Sequence, residues 1–183
     1  MTHHSAFRPD LRPAMTALIL AATGLTACLA AQPVSVTGPE QAPAAARFGA
    51  SLETVRPLLE AACTRLTIRD MPLEQMPVAQ SSHVQADCAG LDHAGTPREA
   101  EFVFADDALA FVWVLTGAEE AETLRAALIA AHGTPSHDLP MATAFTQAHL
   151  ALRHDTPELL YYGDHIAPLY VGWFDQMAAD TGE

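Results

Sequence analysis

The sequence predicts an α+β domain in two layers: an antiparallel sheet of about 4–6 strands, with helices packed mainly on one face. Three observations predict it. Apolar residues recur at helical spacing over 55–66, 119–132 and 166–177. Between these stretches lie short β-rich runs, the clearest a hairpin centred on Asp106-Asp107. Half of the 183 residues are apolar, enough to close a core in one domain.

Residues 1–27 read as a signal peptide. Arg8 and Arg12 precede an uncharged run of eighteen residues from Ala14 to Ala31, the layout of an export signal. A membrane span needs about 20 apolar residues. This run reaches only the lower limit, and it contains Thr16, Thr23, Gly24 and Thr26. Leu25-Thr26-Ala27-Cys28 closes it. That tetrapeptide resembles the lipobox of bacterial lipoproteins, which implies cleavage before Cys28 and a diacylglycerol on its thiol. One acyl chain holds a protein at a membrane marginally, whereas two or three hold it firmly. The next residue is Leu29 and not Asp. In the sorting pattern of enteric bacteria that implies delivery to the outer membrane. Two alternatives stay open. Cys28-Leu29-Ala30 also offers a site to the ordinary signal peptidase, which would release a soluble periplasmic or secreted protein without Cys28. The run could also stay as an uncleaved anchor.

Whether Cys28 is lipidated or lost, Cys63 and Cys88 remain, an even pair for an oxidising compartment. They are expected to form a disulfide. The loop it closes, about 26 residues, is valued at roughly 3.5 kcal/mol by the chain-entropy relation.

Residues 28–47 read as a Pro/Ala-rich linker: "QPVSVTGPEQAPAAA" has three Pro and no hydrophobic period. A single α+β domain is expected over 48–178 and a disordered tail over 179–183, with no internal repeat. In the first helix Val55, Leu58, Leu59, Ala62, Cys63 and Leu66 share a stripe, capped by Ser51 or Thr54. "RDMPLEQMPVAQ" is irregular, with two Pro, and reads as loop. "SSHVQADC" reads as a short strand ending at Cys88, and "AGLDHAGTPRE" as the turn after it. In the hairpin, pairing Phe104 with Leu109 puts Phe102 opposite Phe111. One face then carries the Phe residues, Leu109, Trp113 and Leu115, and the other Val103, Val112 and Val114. The Asp pair reads as the turn, because adjacent carboxylates diverge and Asp favours turns.

Thr116-Gly117-Ala118-Glu119 has the form of a capping box, and Glu119, Glu120 and Glu122 suit the positive end of the helix it opens. Ala121, Leu124, Leu128 and Ala131 make its stripe, with Gly133 and Pro135 as stop signals. "MATAFTQAHLALRHD" reads as one or two strands, and Leu159–Tyr162 as another. The last helix carries Ile166, Leu169, Tyr170, Trp173, Phe174 and Met177 on one face, for packing or docking.

Chemistry is hard to find in this pattern. No residue is assigned a catalytic, cofactor-binding or metal role, and no cofactor is expected. His149 and His154, like His132 and His137, stand five apart, a spacing that aligns side chains poorly on helix or strand. No HExxH, CxxC or GxSxG occurs. Ser136-His137-Asp138 has the three triad residue types in a row, but triads are assembled in space. The charge excludes one class outright. There are 22 acidic residues and 9 basic ones, all Arg; after Ala27 the balance is seven Arg against 21 acids. Such a surface repels nucleic acid.

The Phe-rich strand, the Asp-Asp turn, the apolar strand, the helix and Gly133-Thr134-Pro135 resemble small cell-envelope proteins of proteobacteria, over Phe102 to Pro135. The resemblance implies no activity. The expectation is a non-catalytic, lipid-anchored envelope protein facing the periplasm, binding a protein partner or stabilising an assembly. The alternatives are a small periplasmic hydrolase or metal-dependent enzyme using His and Asp, and a periplasmic carrier of a small ligand.

Overall fold

Ser51 opens α1 (Leu52–Ala62) by accepting the Thr54 N–H on its side chain, at 3.3 Å. That makes Ser51, and not Thr54, the cap. Pro57 therefore sits inside the helix, where its missing N–H leaves the carbonyl of Glu53 without its usual donor. The computed structural model to which these distances belong describes residues 38–182; the expected signal peptide, Cys28 and the last residue lie outside them.

The chain order is α1, β1 (Arg65–Asp70), β2 (His83–His93), β3 (Thr96–Ala105), β4 (Ala108–Leu115), α2 (Ala121–His132), β5 (His137–Leu139), β6 (Ala142–Phe145), β7 (Leu150–Arg153), β8 (Glu158–Tyr162) and α3 (Ala167–Thr181). All eight strands form one antiparallel sheet in the order β1-β2-β3-β4-β8-β7-β6-β5. The class is α+β, as expected, but the sheet is larger than 4–6 strands. β1 and β5 are the unanticipated edges. β1 lies in "RLTIRD", where Leu66 and Ile68 alternate with Arg65, Thr67 and Arg69 as on an edge strand; the expected stripe of the first helix ran through Leu66 and masked it. β2 does not stop at Cys88. It runs to His93, past a bulge at Gly90, where φ is +72° and a Cβ would meet the Thr64 hydroxyl at 2.5 Å.

The helices lie on both faces, so the two-layer expectation is corrected to three layers. Val55 and Leu59 of α1 and Leu124 and Leu128 of α2 pack with Phe102, Phe104, Val112 and Leu152 on one face. Tyr170 and Phe174 of α3 pack with Val103, Leu160 and Tyr162 on the other. A sheet whose central strands are apolar on both faces must be covered twice. β8 shows this directly, with all five residues buried.

The hairpin turns at Asp106-Asp107, as expected, with φ of +51° and +60°. Phe104 faces Leu109, also as expected. Beyond that pair the register departs. Phe102 pairs with Val112, not Phe111, because Ala110 is the extra residue of a bulge. Ala110, Phe111 and Trp113 consequently turn to the α3 face, while Val112 and Val114 go to the α1/α2 face. One inserted residue exchanges the faces of every side chain after it.

A repeat that was not anticipated organises the whole. Each half of the chain is a helix followed by a four-stranded meander, α1 with β1–β4 and α2 with β5–β8, and the halves join where β4 pairs with β8. The helices share one register: Arg56, Leu59, Ala61 and Ala62 recur as Arg125, Leu128, Ala130 and Ala131.

The core begins before residue 48. Ala45 is buried, and Ala42 and Ala46 pack against the α1/α2 core, so residues 38–47 form a strap and not an unpacked linker. At the other end α3 continues to Thr181, through most of the expected tail. In α2, Glu120 and not Glu119 reaches back to the Gly117 N–H, at 2.6 Å, and it holds Arg98 in a bidentate pair.

Candidate functional site

The Cys63–Cys88 disulfide forms, with 5.3 Å between the Cα atoms. Cys63 is the residue that ends α1, with extended backbone, and Cys88 is fully buried in β2. The bond staples the first helix to the sheet. Among the described residues no helix is long and apolar enough to cross a membrane.

The acidic pair at the hairpin is structural. Asp106 accepts the Ser81 hydroxyl and the N–H groups of Ser81, Gln80 and Ser82, which hold its carboxyl down at about 2, and Asp107 accepts the Leu52 N–H at the start of α1. The histidines also go their own ways. His149, at φ +51°, stacks on Tyr162 and contacts Asp164 at 3.1 Å. His132 donates to the carbonyl of Glu40. His137 donates to Asp175 and lies 3.3 Å from Ser136 Oγ, which brings Ser, His and Asp side chains into a row, with Asp175 in place of Asp138. Ser136 is no nucleophile in that row. Its hydroxyl gives its proton to the Ala144 carbonyl and accepts from both the backbone N–H and the hydroxyl of Thr146. Among the described residues no three His, Cys, Asp or Glu side chains are grouped to hold a metal ion.

One cleft stands out chemically. It has a volume of about 490 Å³ and opens beside edge strand β5. Leu139, Pro140 and Met141 from the β5–β6 turn form one wall, and Met177 of α3 forms another. Met141 is 40% exposed, a large apolar side chain left in contact with solvent. The Met141 carbonyl accepts the His154 N–H at 2.9 Å, which ties the β5–β6 turn to the β7–β8 turn. Two other hollows are smaller and of mixed lining, each with charged or titratable side chains. One, of about 390 Å³, is lined by Glu40, His149, Asp164 and His165; the other, of about 320 Å³, by Arg65, Arg69, Asp87 and Glu101.

The rim of the apolar cleft has a single chemical character. Thr143 Oγ1 donates to Asp138, so it accepts from His154 Nε2 at 3.0 Å. Arg125 neutralises Asp138 from its far side and, with Thr143, holds its carboxyl below the ordinary range. His154 therefore donates through Nε2, and in the neutral ring Nδ1 is left as an acceptor. Asp180 lines the rim with one carboxylate oxygen bonded to Gln176 and, among the described residues, no cation paired with it. Asp155 lines it too, paired with Arg153. The C-terminal end of α3, the negative end of its dipole, completes it. The Thr181 hydroxyl donates inward to the carbonyls of Met177 and Ala178.

An apolar floor with a few convergent polar groups is the common form of a binding site. The sequence held no pattern for it, because its walls come from three segments between residues 139 and 181. The signal was a methionine beside Pro140, at the start of a stretch expected as strand, and composition alone does not mark it as the wall of a cleft. No family model, curated protein or solved structure matches the chain.

Proposed function

We propose that the chain is a lipid-anchored cell-envelope protein that binds a protein partner and catalyses no reaction of its own. The observation that carries this reading is the open, methionine-walled cleft on a disulfide-stapled domain. Methionine suits a surface that must adapt to a partner, because its unbranched side chain repacks easily. The disulfide belongs to an oxidising compartment. The lipobox-like Leu25-Thr26-Ala27-Cys28 supplies the anchor in this reading, with the outer membrane as destination. A hydrolase would need a nucleophile or metal beside His154. The hydroxyl beside it, that of Thr143 at 3.0 Å, gives its proton to Asp138, and that of Thr181 is turned into its own helix.

The test has two parts. Wild type should incorporate labelled palmitate and partition with membranes, while Cys28→Ser should do neither. A photo-crosslinking residue at Met141 should capture a defined protein in cells. Membrane partition by Cys28→Ser without palmitate in the wild type overturns the anchor. Failure of crosslinking at Met141 and at a panel of other surface positions overturns the binding role. A carrier of a small ligand is the second reading, favoured by the cleft's volume, which lies in the small-molecule range.

A further inference from the structure

We infer that the cleft between the β5–β6 turn and the end of α3 takes a basic segment of a partner protein, anchored by an apolar side chain. The inference rests on the binding role proposed above and adds the chemistry of the partner. The apolar requirement comes from Met141 and Met177, which would lose water contact under an inserted side chain, above an already buried Leu139. The basic requirement comes from the rim. Asp180 is a carboxylate without a cation among the described residues, the end of α3 presents negative potential, and Nδ1 of a neutral His154 accepts. The two rim side chains that carry a proton already spend it: that of His154 goes to Thr143, and that of Thr181 to backbone carbonyls. A carboxylate or phosphate would find no side-chain donor in those two groups. A lysine or arginine beside a leucine would find both an apolar floor and a partner for its charge. The chain's formal charge of −13 favours the same partners at longer range.

A peptide titration against the full chain tests this. The probe is a fluorescein-labelled helix of about 14 residues, four turns, built from Leu and Lys. Fluorescence anisotropy reads its affinity. The comparators are the same helix with Glu for Lys, the same helix with Ser for Leu, and decylamine as a small alkylammonium. The expected result is saturable binding of the Leu/Lys helix alone, weakening several-fold between about 50 and 300 mM salt. The decisive variant is Met141→Glu. It adds negative charge, so diffuse attraction would strengthen, whereas docking in the cleft should weaken about tenfold. Asp180→Asn should weaken binding about threefold, and circular dichroism checks that both variants stay folded.

Binding of the Leu/Lys helix that is unchanged or tighter in Met141→Glu overturns the inference. So does equal binding of the Glu helix, or displacement of the probe by decylamine at matching affinity. The two proposals fail separately. A partner crosslinked elsewhere and indifferent to Met141→Glu removes the cleft's role and leaves the binding protein. Failure of palmitate labelling and of crosslinking at every position removes the anchored binding protein, whatever the titration reads.

Discussion

The ring of His93 donates through Nε2 to the hydroxyl of Tyr161 at 2.8 Å, deep in the interior, and Tyr161 donates in turn to the carbonyl of Pro39 at 2.7 Å. This relay pins the strap of residues 38–47 to the central sheet. Tyr161→Phe keeps the ring and removes the hydroxyl. His93 then keeps a buried N–H with no acceptor, a loss of about 1–3 kcal/mol. Urea denaturation should show a lower midpoint at unchanged slope. Amide exchange should quicken at Gln41 and Ala46, whose N–H groups bond within the strap.

His93 and Glu158 should set opposing pH dependences. Burial lowers His93 from 6.5 to about 4, so the unfolded chain binds its proton first on acidification. Its contribution is full above pH 6.5 and is lost as pH falls towards 4. Burial raises Glu158 from 4.5 to about 7, and Arg153 at 2.6 Å offsets this only in part. Its neutral form is the one the fold favours, so its contribution is full below pH 4.5 and is lost as pH rises through 7. The two slopes nearly cancel between about pH 4.5 and 6.5. Glu158→Gln should expose the His93 slope, a rise in stability of order 3 kcal/mol from pH 4 to 6.5. Chemical denaturation across that range measures it. A flat profile in Glu158→Gln would contradict the assignment.

Removing the Cys63–Cys88 bond should cost about 3.5 kcal/mol, or roughly 10 °C in Tm. Alkylation mass spectrometry should find neither thiol before reduction.

Asp106→Ala takes the acceptor from three backbone N–H groups of the loop at 80–82 and from the Ser81 hydroxyl. That loop should become cleavable by protease in the folded protein. Because the native carboxyl sits near 2, below its ordinary 3.8, wild type should lose this support as pH falls from 3.8 through 2, and Asp106→Ala should not.

α3 should show two unequal faces. Phe174 is fully buried against the sheet, and Phe174→Ala should cost about 3–5 kcal/mol. Trp173 is 41% exposed, and its replacement by Ala should cost well under half of that. Thermal unfolding of the two variants checks the contrast.

Elements announced by their own neighbours were legible in the sequence. Leu124 and Leu128 lie four apart, Gly133 stops their helix, and two Asp residues turn a hairpin; each is a short-range preference acting within a turn or two. The candidate cleft was not legible. Met141 and Met177 are 36 residues apart. Only the folding of β5, β6 and α3 together sets them around one hollow. The aromatic stripe of α3 was seen, but its division into a buried Phe174 and an exposed Trp173 depends on where the sheet lies.

By itself, then, the sequence determined the α+β class, the three helices, the Asp106-Asp107 turn and the pairing partners left to Cys63 and Cys88. It did so because periodicity, turn preference and the parity of cysteines are local or countable. The tertiary structure alone decided that the sheet has eight strands, that helices cover both faces, and that the chain folds as two similar halves. It also decided the bulge at Ala110, which sends Trp113 to the opposite face from the one its spacing suggested. Strand register, helix placement and the cleft are set by contacts between residues far apart in the chain, and hydrophobic burial rewards those contacts only once both partners are in place.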